Sequence, residues 1–284
     1  MKKLLAIILS LVILSMCFIS CEEDTDNSSQ TINTNSSNNE SGETASLSAM
    51  TAEQLLTYAA SKLASADNYT AIISGNVSVK YSGNTINMTE SGVIKMENLN
   101  GDTPEMLTDM TLDTGDNIVM MSMIYTDGYY YTESPLSKVK VAMTKEQAVK
   151  LFNSSIFSVD DTGSDSFQGV KKTDATDGGW SVTCSGMNNV SASSAFGGLI
   201  SSFGVDVSAN DIEFNNITIK FGINKEGLIV TQNLQLTMSI DAMGTQIEYD
   251  MDISSEFKDY GSTTVNISVN SNNFSEVDYS NMFG

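Results

Sequence analysis

The sequence contains neither histidine nor arginine, and all fourteen of its basic residues are lysine. Histidine is the side chain whose unperturbed pKa lies nearest neutrality, so its absence excludes Ser-His-Asp catalysis, Cys-His catalysis and histidine-ligated zinc. The absence of arginine removes the bidentate guanidinium group with which proteins hold phosphates and carboxylates. Because these common reactive groups are missing, we expect a protein without enzymatic activity and without a cofactor.

Positive charge is scarce in this chain. It has 35 acidic residues against 14 basic ones, which gives a formal net charge of -21 at pH 7. Proteins that bind nucleic acid present a basic surface, so we expect no nucleic-acid partner. Anionic lipid headgroups should also repel this surface. The simplest role of the acidity is solubility, and we expect a monomer.

Cysteine is rare as well, with three residues in the whole chain. Cys17 falls in an apolar N-terminal run, and Cys184 has no evident partner for a disulfide. In the pattern Trp180-Ser-Val-Thr-Cys184, the thiol shares one face of a strand with Trp180 and Val182. This position predicts a buried structural thiol rather than a nucleophile.

The N-terminus has the pattern of an export signal. Lys2 and Lys3 precede an apolar run from Leu4 to Ile19, which is short for a membrane-spanning helix, although an uncleaved anchor is the alternative. The end of the run, Phe-Ile-Ser-Cys21, resembles the lipobox of bacterial lipoproteins. This resemblance implies cleavage before Cys21 and a diacylglycerol on its thiol. We therefore predict a signal peptide at residues 1–20 and a protein anchored by lipid to the extracytoplasmic face of the cell membrane.

The rest of the chain divides into a tether and a domain. Residues 21–49 are polar and unpatterned, which predicts a disordered tether, and residues 50–284 form the domain. Thr51 with Gln54, and Thr144 with Gln147, have the spacing of capping boxes and predict the starts of two helices. A third helical stripe has the spacing i, i+3, i+4, i+7. Its residues are Phe196, Leu199, Ile200 and Phe203.

Between these helices the apolar period changes from 3.6 to 2, which predicts long strands joined by short turns. The run from Ile118 to Tyr125 is apolar on both faces, so we expect cover on both sides of that strand. The last four predicted strands end with Val265, Ile267 and Val269 and should form an antiparallel meander. Their opposite faces carry polar residues, as expected for a sheet with one solvated side.

The order of these elements resembles the LolA and LppX group of lipoprotein and lipid carriers. The similarity covers about residues 51–257 and depends on the helix-to-strand passage at residues 63–70 and on the hairpin at residues 124–131. It implies a mainly β (α+β) fold, in which a curved antiparallel half-barrel sheet is capped by an N-terminal helix and inserted helices. The resemblance also implies an apolar cavity for acyl chains on the concave face. LolA-type carriers use an arginine there, so the exported lipid-binding or sensory lipoproteins of cells with a single membrane are the nearer comparison.

Methionine is abundant in the predicted strands, and its thioether chain adapts to irregular apolar ligands. Together with the resemblance, this predicts a site for a lipid or other hydrophobic small molecule on the concave face. The predicted ligand-binding residues are Met121, Met123, Tyr125, Phe196, Leu199, Phe203, Met238 and Met251. In the alternative, methionine fills a solidly packed sheet, and the protein is a structural or protein-interaction module of the cell envelope.

Two groups of aspartates could offer oxygen ligands to calcium. Asp160, Asp161 and Asp165 form one group, and Asp113 with Asp116 forms the other. Neither matches the spacing of an EF-hand loop, and turn formation explains both better. We therefore predict no metal site. No pair of carboxylates stands out for glycoside hydrolysis, and Trp180 is the single tryptophan available as a sugar platform.

Overall fold

The computed structural model describes residues 47–135, 137–154, 167–186, 212–242 and 245–278. Its elements, in chain order, are α1 (Ala52–Ala64), β1 (Tyr69–Tyr81), β2 (Asn84–Glu97), β3 (Glu105–Asp113), β4 (Ile118–Thr126), β5 (Tyr129–Ser134), β6 (Ser137–Ala142), α2 (Lys145–Ser154), β7 (Lys171–Asp174), β8 (Trp180–Cys184), β9 (Ile212–Ile223), β10 (Ile229–Ala242), β11 (Thr245–Lys258) and β12 (Ser275–Glu276). No helix in the described ranges is long and apolar enough to cross a bilayer.

The twelve described strands form one curved, unclosed sheet. Their order is β12-β6-β5-β4-β3-β2-β1-β11-β10-β9-β8-β7. All of these pairings are antiparallel except the two-residue pairing of β12 with β6. The pairing of β1 with β11 joins the N-terminal and C-terminal halves of the chain. This architecture confirms the predicted mainly β half-barrel.

Short turns set the register of the hairpins. Between β4 and β5, Asp127 and Gly128 both have positive φ, 53° and 75°. Two successive residues of this kind form the tight turn whose twist matches that of antiparallel strands, and glycine adopts the conformation without steric cost. The turn pairs Tyr125 with Tyr130 and thereby fixes which side chains of β4 and β5 share a face.

The helix α1 begins with the predicted capping box. Gln54 N–H donates to Thr51 Oγ1 at 3.2 Å, and Thr51 N–H donates to Gln54 Oε1 at 3.0 Å. These two bonds satisfy N–H groups that have no partner within the first helical turn. The equivalent box at Thr144 and Gln147 opens α2 with bonds of 2.9 and 3.2 Å. Both predicted helix starts are therefore confirmed.

The position of α1 is fixed at one end of the sheet. Near its start, Lys172 on β7 donates to the carbonyl of Met50, and near its end the side-chain amide of Asn100 donates to the carbonyl of Ser65. Between them, the ammonium of Lys62 donates to the carbonyl of Glu226 in the β9–β10 turn. Because β7 lies at the sheet edge and Asn100 lies between β2 and β3, α1 crosses several strands. Its buried residues are Leu55, Leu56, Ala59, Ala60 and Leu63.

Side chains alternate between two faces of the sheet. The inner face, against which α1 packs, carries the buried apolar residues, and the outer face carries mostly polar ones. On the outer face β11 is strongly acidic, and its exposed carboxylates are Glu248, Asp250, Asp252 and Glu256. Lys80 on β1 reaches one of them, Glu248, in an exposed ion pair of 3.3 Å. The predicted division into one apolar and one solvated face is confirmed for these strands.

The predicted last strand at residues 265–269 is wrong. Its side chains alternate between covered and exposed positions, but the segment pairs with none of the described strands, and both sides of β11 are already occupied by β1 and β10. It belongs to a C-terminal strap, residues 263–277, that lies on the outer face. Thr263 Oγ1 lies 2.9 Å from Thr70 Oγ1, and Val265 N–H donates to Glu97 Oε2 at 2.5 Å. Further along the strap, the ring of Phe274 packs edge-on against the ring of Tyr131, with 5.1 Å between the ring centres.

The predicted cover on both faces of β4 is also wrong for half of that strand. On its outer face, Ile118 and Met120 are 65% and 67% exposed. The strap explains the difference, because its Phe274 covers Tyr131, which is paired with Ile124 at the opposite end of β4. The strap thus shields the outer face near the α1 end and does not extend to Ile118.

Candidate ligand-binding face

The inner face is built of rows of side chains that run across the strands. One row contains Leu112, Glu90, Gly75, Ile253, Leu234 and Ile219 on β3, β2, β1, β11, β10 and β9. The next row, further from α1, contains Met88, Val77, Met251, Leu236 and Ile217. The row after that contains Ile86, Val79, Tyr249, Met238 and Phe214. Burial of these apolar side chains is the main stabilising contribution of the face.

All five predicted site residues that lie within the described ranges point to this inner face. Met121, Met123 and Tyr125 occupy alternate positions of β4, whereas Met238 and Met251 lie on β10 and β11. Strands in a sheet are spaced about 4.8 Å apart, so β4 and β11 are separated by roughly 19 Å across β3, β2 and β1. The structure therefore places these residues in two groups on one face rather than around a single point.

Met238 and Met251 form the more enclosed group. Met251 is paired with Leu236 and Met238 is paired with Tyr249, so the two methionines are diagonal neighbours across β10 and β11. Each is only 1% exposed. Two adjacent thioether chains in neighbouring buried rows provide a surface that can adapt its shape to a neighbouring group.

The β4 group lies closer to α2. The Tyr125 hydroxyl donates to the carbonyl of Met143, just before α2, at 3.3 Å. Burial raises the pKa of Tyr125, and the nearby carboxylate of Glu146 adds to this shift. This hydrogen bond uses the polar end of Tyr125, so the side chain presents its ring to the inner face. Along the same face of β4, Met123 lies next to Tyr125 and is half-buried, and Met121 lies beyond it and is buried.

The other predicted sites lie outside the described residues. These are Phe196, Leu199 and Phe203 of the third helical stripe, the lipidation site Cys21, and the aspartates Asp160, Asp161 and Asp165. The remaining aspartate pair forms a turn: Asp113 Oδ1 accepts a hydrogen bond from Gly115 N–H at 2.7 Å, as expected for turn chemistry.

Two glycines lower the centre of the inner face. Gly75 on β1 and Gly92 on β2 both face inward, and the sulfur of Met110 lies over Gly92, where an added Cβ would be only 1.8 Å away. A larger residue at position 92 would therefore displace Met110. The glycine allows the methionine chain to lie flat across β2 instead of standing upright.

Two polar residues on this face were not predicted as part of the site. Glu90 is a buried carboxyl group whose register partners are Gly75 and Leu112. The sequence could have indicated an inward-facing carboxyl group here, because Glu90 interrupts the inward series Met88, Gly92, Ile94 and Met96. The other is Tyr249, which the alternating pattern of β11 includes among the core residues without any indication of what its hydroxyl contacts.

The hydroxyl of Tyr249 is buried and has no hydrogen-bond partner among the residues that the structure describes. The whole side chain is 2% exposed, and burial raises its pKa well above the ordinary value for tyrosine. Tyr260 provides a contrast near the end of the same strand. Its side chain is half-buried, and its hydroxyl donates to the carbonyl of Ile229 at 2.6 Å. Among the residues that the structure describes, Tyr249 therefore lacks the internal acceptor that Tyr260 has.

Cys184 is buried and forms no disulfide in the described part of the chain, as predicted. It alternates with Trp180 and Val182 on the inner face of β8. Burial raises the pKa of the thiol to about 12, with a smaller contribution from Glu53. A thiol with this pKa stays protonated at neutral pH and is a poor nucleophile.

No protein-family model matches this sequence, and no curated protein matches it. Among solved structures, the fold is similar to that of LprF from Mycobacterium bovis, with 12% identity, a TM-score of 0.38, and coverage of 77% of this chain and 96% of that one. A DUF1329 family protein from Desulfovibrio piger has 10% identity and a TM-score of 0.27, with coverage of 76% of this chain and 93% of that one. Similarities this distant do not assign a function.

Proposed function

We propose that this chain is a non-enzymatic protein of the cell envelope that binds a hydrophobic or amphiphilic, lipid-like molecule on the inner face of its half-barrel. A lipid on Cys21 holds it at the extracytoplasmic face of the cell membrane, where it acts as a monomer. Two acyl chains of a diacylglycerol suffice for stable anchoring. The acyl anchor is needed because the acidic surface is repelled by anionic headgroups.

The observation that supports ligand binding is the extent of the apolar inner face relative to α1. The strands β1, β10 and β11 have 13 or 14 residues, which corresponds to about 45 Å. The helix α1 crosses these strands, so it covers only about 10 Å of their length, the width of a helix, and its hydrogen bonds to the sheet lie at one end of the strands. Most of the apolar strand length therefore extends beyond this helix, and an acyl chain matches this surface in chemistry.

The composition of the face suits an irregular, flexible ligand. Methionines contribute side chains that repack at low cost, and the glycines at positions 75 and 92 reduce the height of the face at its centre. Sites for lipid-like molecules are mainly apolar and contain a few polar groups that orient the ligand. Glu90 and Tyr249 supply such groups on this face.

The second candidate function is a structural or protein-interaction module with a solidly packed interior. It is favoured by the near-complete burial of Met238 and Met251, which are each 1% exposed. In this case methionine serves only to fill the core of a large curved sheet. The partner would then bind elsewhere, at a strand edge or at the acidic outer face.

Native mass spectrometry distinguishes the two functions. The full chain is purified from membranes of its native host, and the lipid that travels with the folded protein is identified by its mass. The stripped protein is then titrated with a pyrene-labelled fatty-acid ester. We expect a co-purifying lipid and saturable binding of the ester. Repeated preparations without ligand, combined with no binding of the probe, would establish the packed module instead.

A further inference from the structure

We propose that the Tyr249 hydroxyl is a hydrogen-bond donor that fixes the carbonyl oxygen of a bound acyl ester, so that the ligand class is a neutral fatty-acyl ester. This inference rests on the proposed function and adds the chemical group that the inner face selects. It assigns to Tyr249 a role in specificity, while the surrounding apolar side chains provide most of the binding energy.

The surroundings of Tyr249 are apolar on both sides. Its register partners are Val79 on β1 and Met238 on β10, and the next residues in the row are Ile86 on β2 and Phe214 on β9. None of these side chains can accept a strong hydrogen bond. The Tyr249 hydroxyl is therefore a single polar atom within an apolar row.

A buried hydroxyl without a partner is unfavourable, because it loses its hydrogen bonds to water and gains none in the protein. Natural structures contain few such groups, and each one calls for a reason. Phenylalanine would fill the same space in β11 without this cost. A ligand oxygen that accepts from Tyr249 in the bound state would account for the tyrosine.

The same surroundings define which acceptor fits. None of the register neighbours of Tyr249 carries a charge, so a carboxylate or phosphate placed here would lose its hydration without gaining a cation. The sequence also has no arginine to accompany an anion. An ester carbonyl accepts a hydrogen bond, brings no charge, and is attached to the alkyl chain that the apolar rows can cover.

The test uses the full chain as recovered from the expressing cell, after removal of bound lipid. Two probes are titrated by fluorescence: a pyrene-labelled fatty-acid methyl ester and a pyrene-labelled alkane of the same length. We expect Tyr249→Phe to weaken binding of the ester about five- to tenfold, the value of one hydrogen bond, and to leave binding of the alkane unchanged. The ligand-free variant should have a Tm equal to or above that of the wild type.

The matched control is Tyr260→Phe, which removes a half-buried hydroxyl that already has an acceptor, the carbonyl of Ile229. This variant should lower the Tm and leave the affinity for both probes unchanged. Each remaining outcome overturns the inference. Equal binding of the ester by wild type and Tyr249→Phe contradicts the role of the hydroxyl but leaves the proposed function intact. A parallel loss of both probes with a lower Tm indicates a packing role. Failure of the wild type to bind either probe contradicts the proposed function itself.

Discussion

The ammonium group of Lys172 donates to the backbone carbonyl of Met50 at 2.6 Å, which ties the edge strand β7 to the residue just before the N-cap of α1. The same ammonium donates to the carbonyl of Ser48 at 2.9 Å and lies 5.8 Å from the centre of the Trp180 ring. One side chain thus holds the segment through which the chain enters its domain.

We expect Lys172→Met to lower the free energy of unfolding by about 1–2 kcal/mol, because two carbonyls lose a charged donor at a partly buried site. The control is Lys171→Met on the same strand, where the side chain is exposed and the change should stay within about 0.5 kcal/mol. Urea unfolding of both variants measures the difference. Equal stability of the two variants would show that the contacts of Lys172 contribute nothing.

The buried ionisable groups predict a loss of stability at alkaline pH. Burial raises the pKa of Cys184 to about 12 and raises the pKa values of Tyr69, Tyr249 and Tyr260 above the ordinary range. In the unfolded chain, cysteine ionises near pH 8.5 and tyrosine near pH 10. The folded state therefore binds more protons than the unfolded state above these values, and stability falls as pH rises.

The expected profile is flat below about pH 8.5 and declines from about pH 9 towards pH 12, with up to about 1.4 kcal/mol per pH unit for each group. The urea midpoint measured at a series of pH values tests this. In Cys184→Ala the first part of the decline, between about pH 9 and 10, should be reduced. A midpoint that stays constant up to pH 11 would mean that these groups titrate alike in both states.

Local patterns predicted most of the individual elements. The capping boxes at Thr51 and Thr144 depend on residues three positions apart, and the hairpin turn at Asp127 depends on two neighbours, so the sequence specifies them directly. The segment from Val265 to Val269 alternates like a strand but lies outside the sheet. A further strand can pair with β11 only if one edge of β11 is free. That edge is occupied by β1, which is distant in the chain, and the alternation of residues 265–269 cannot show this.

For the candidate site, the sequence predicted which face each residue lies on but not how far apart the residues are. Alternation placed Met121, Met238 and Met251 on the apolar face, because a two-residue period determines the face of a strand. It could not show that β4 and β11 lie four strands apart, which depends on the order of strands in the sheet. That the Tyr249 hydroxyl has no partner within the described ranges is also a non-local property, since it depends on which side chains the register places beside it.

A pair of methionines tests which face of the sheet binds ligand. Met238 lies buried on the inner face, whereas Met120 is 67% exposed on the outer face. Glutamine has nearly the shape of methionine but a polar end that is costly to bury. We expect Met238→Gln to weaken binding of the pyrene-labelled alkane about fivefold or more, and to lower the free energy of unfolding by about 1–3 kcal/mol.

Met120→Gln is the control for this substitution, and it should change stability by less than about 0.5 kcal/mol and leave binding of the alkane unaffected. Both variants are compared by fluorescence titration at a temperature where each is fully folded by circular dichroism. Weaker binding by Met120→Gln with unchanged binding by Met238→Gln would place the ligand on the outer face, beside Ile118, and would contradict the proposed site.

The membrane anchor is tested at Cys21. The proposal attaches the diacylglycerol to this thiol, so radiolabelled palmitate should be incorporated into the wild type and into Cys17→Ser, but not into Cys21→Ser. We also expect Cys21→Ser to leave the membrane fraction with an unchanged Tm, because the acidic surface of the domain gains nothing from anionic headgroups. Palmitate on the Cys21→Ser protein, or its full retention in the membrane fraction, would contradict the lipid anchor at this position.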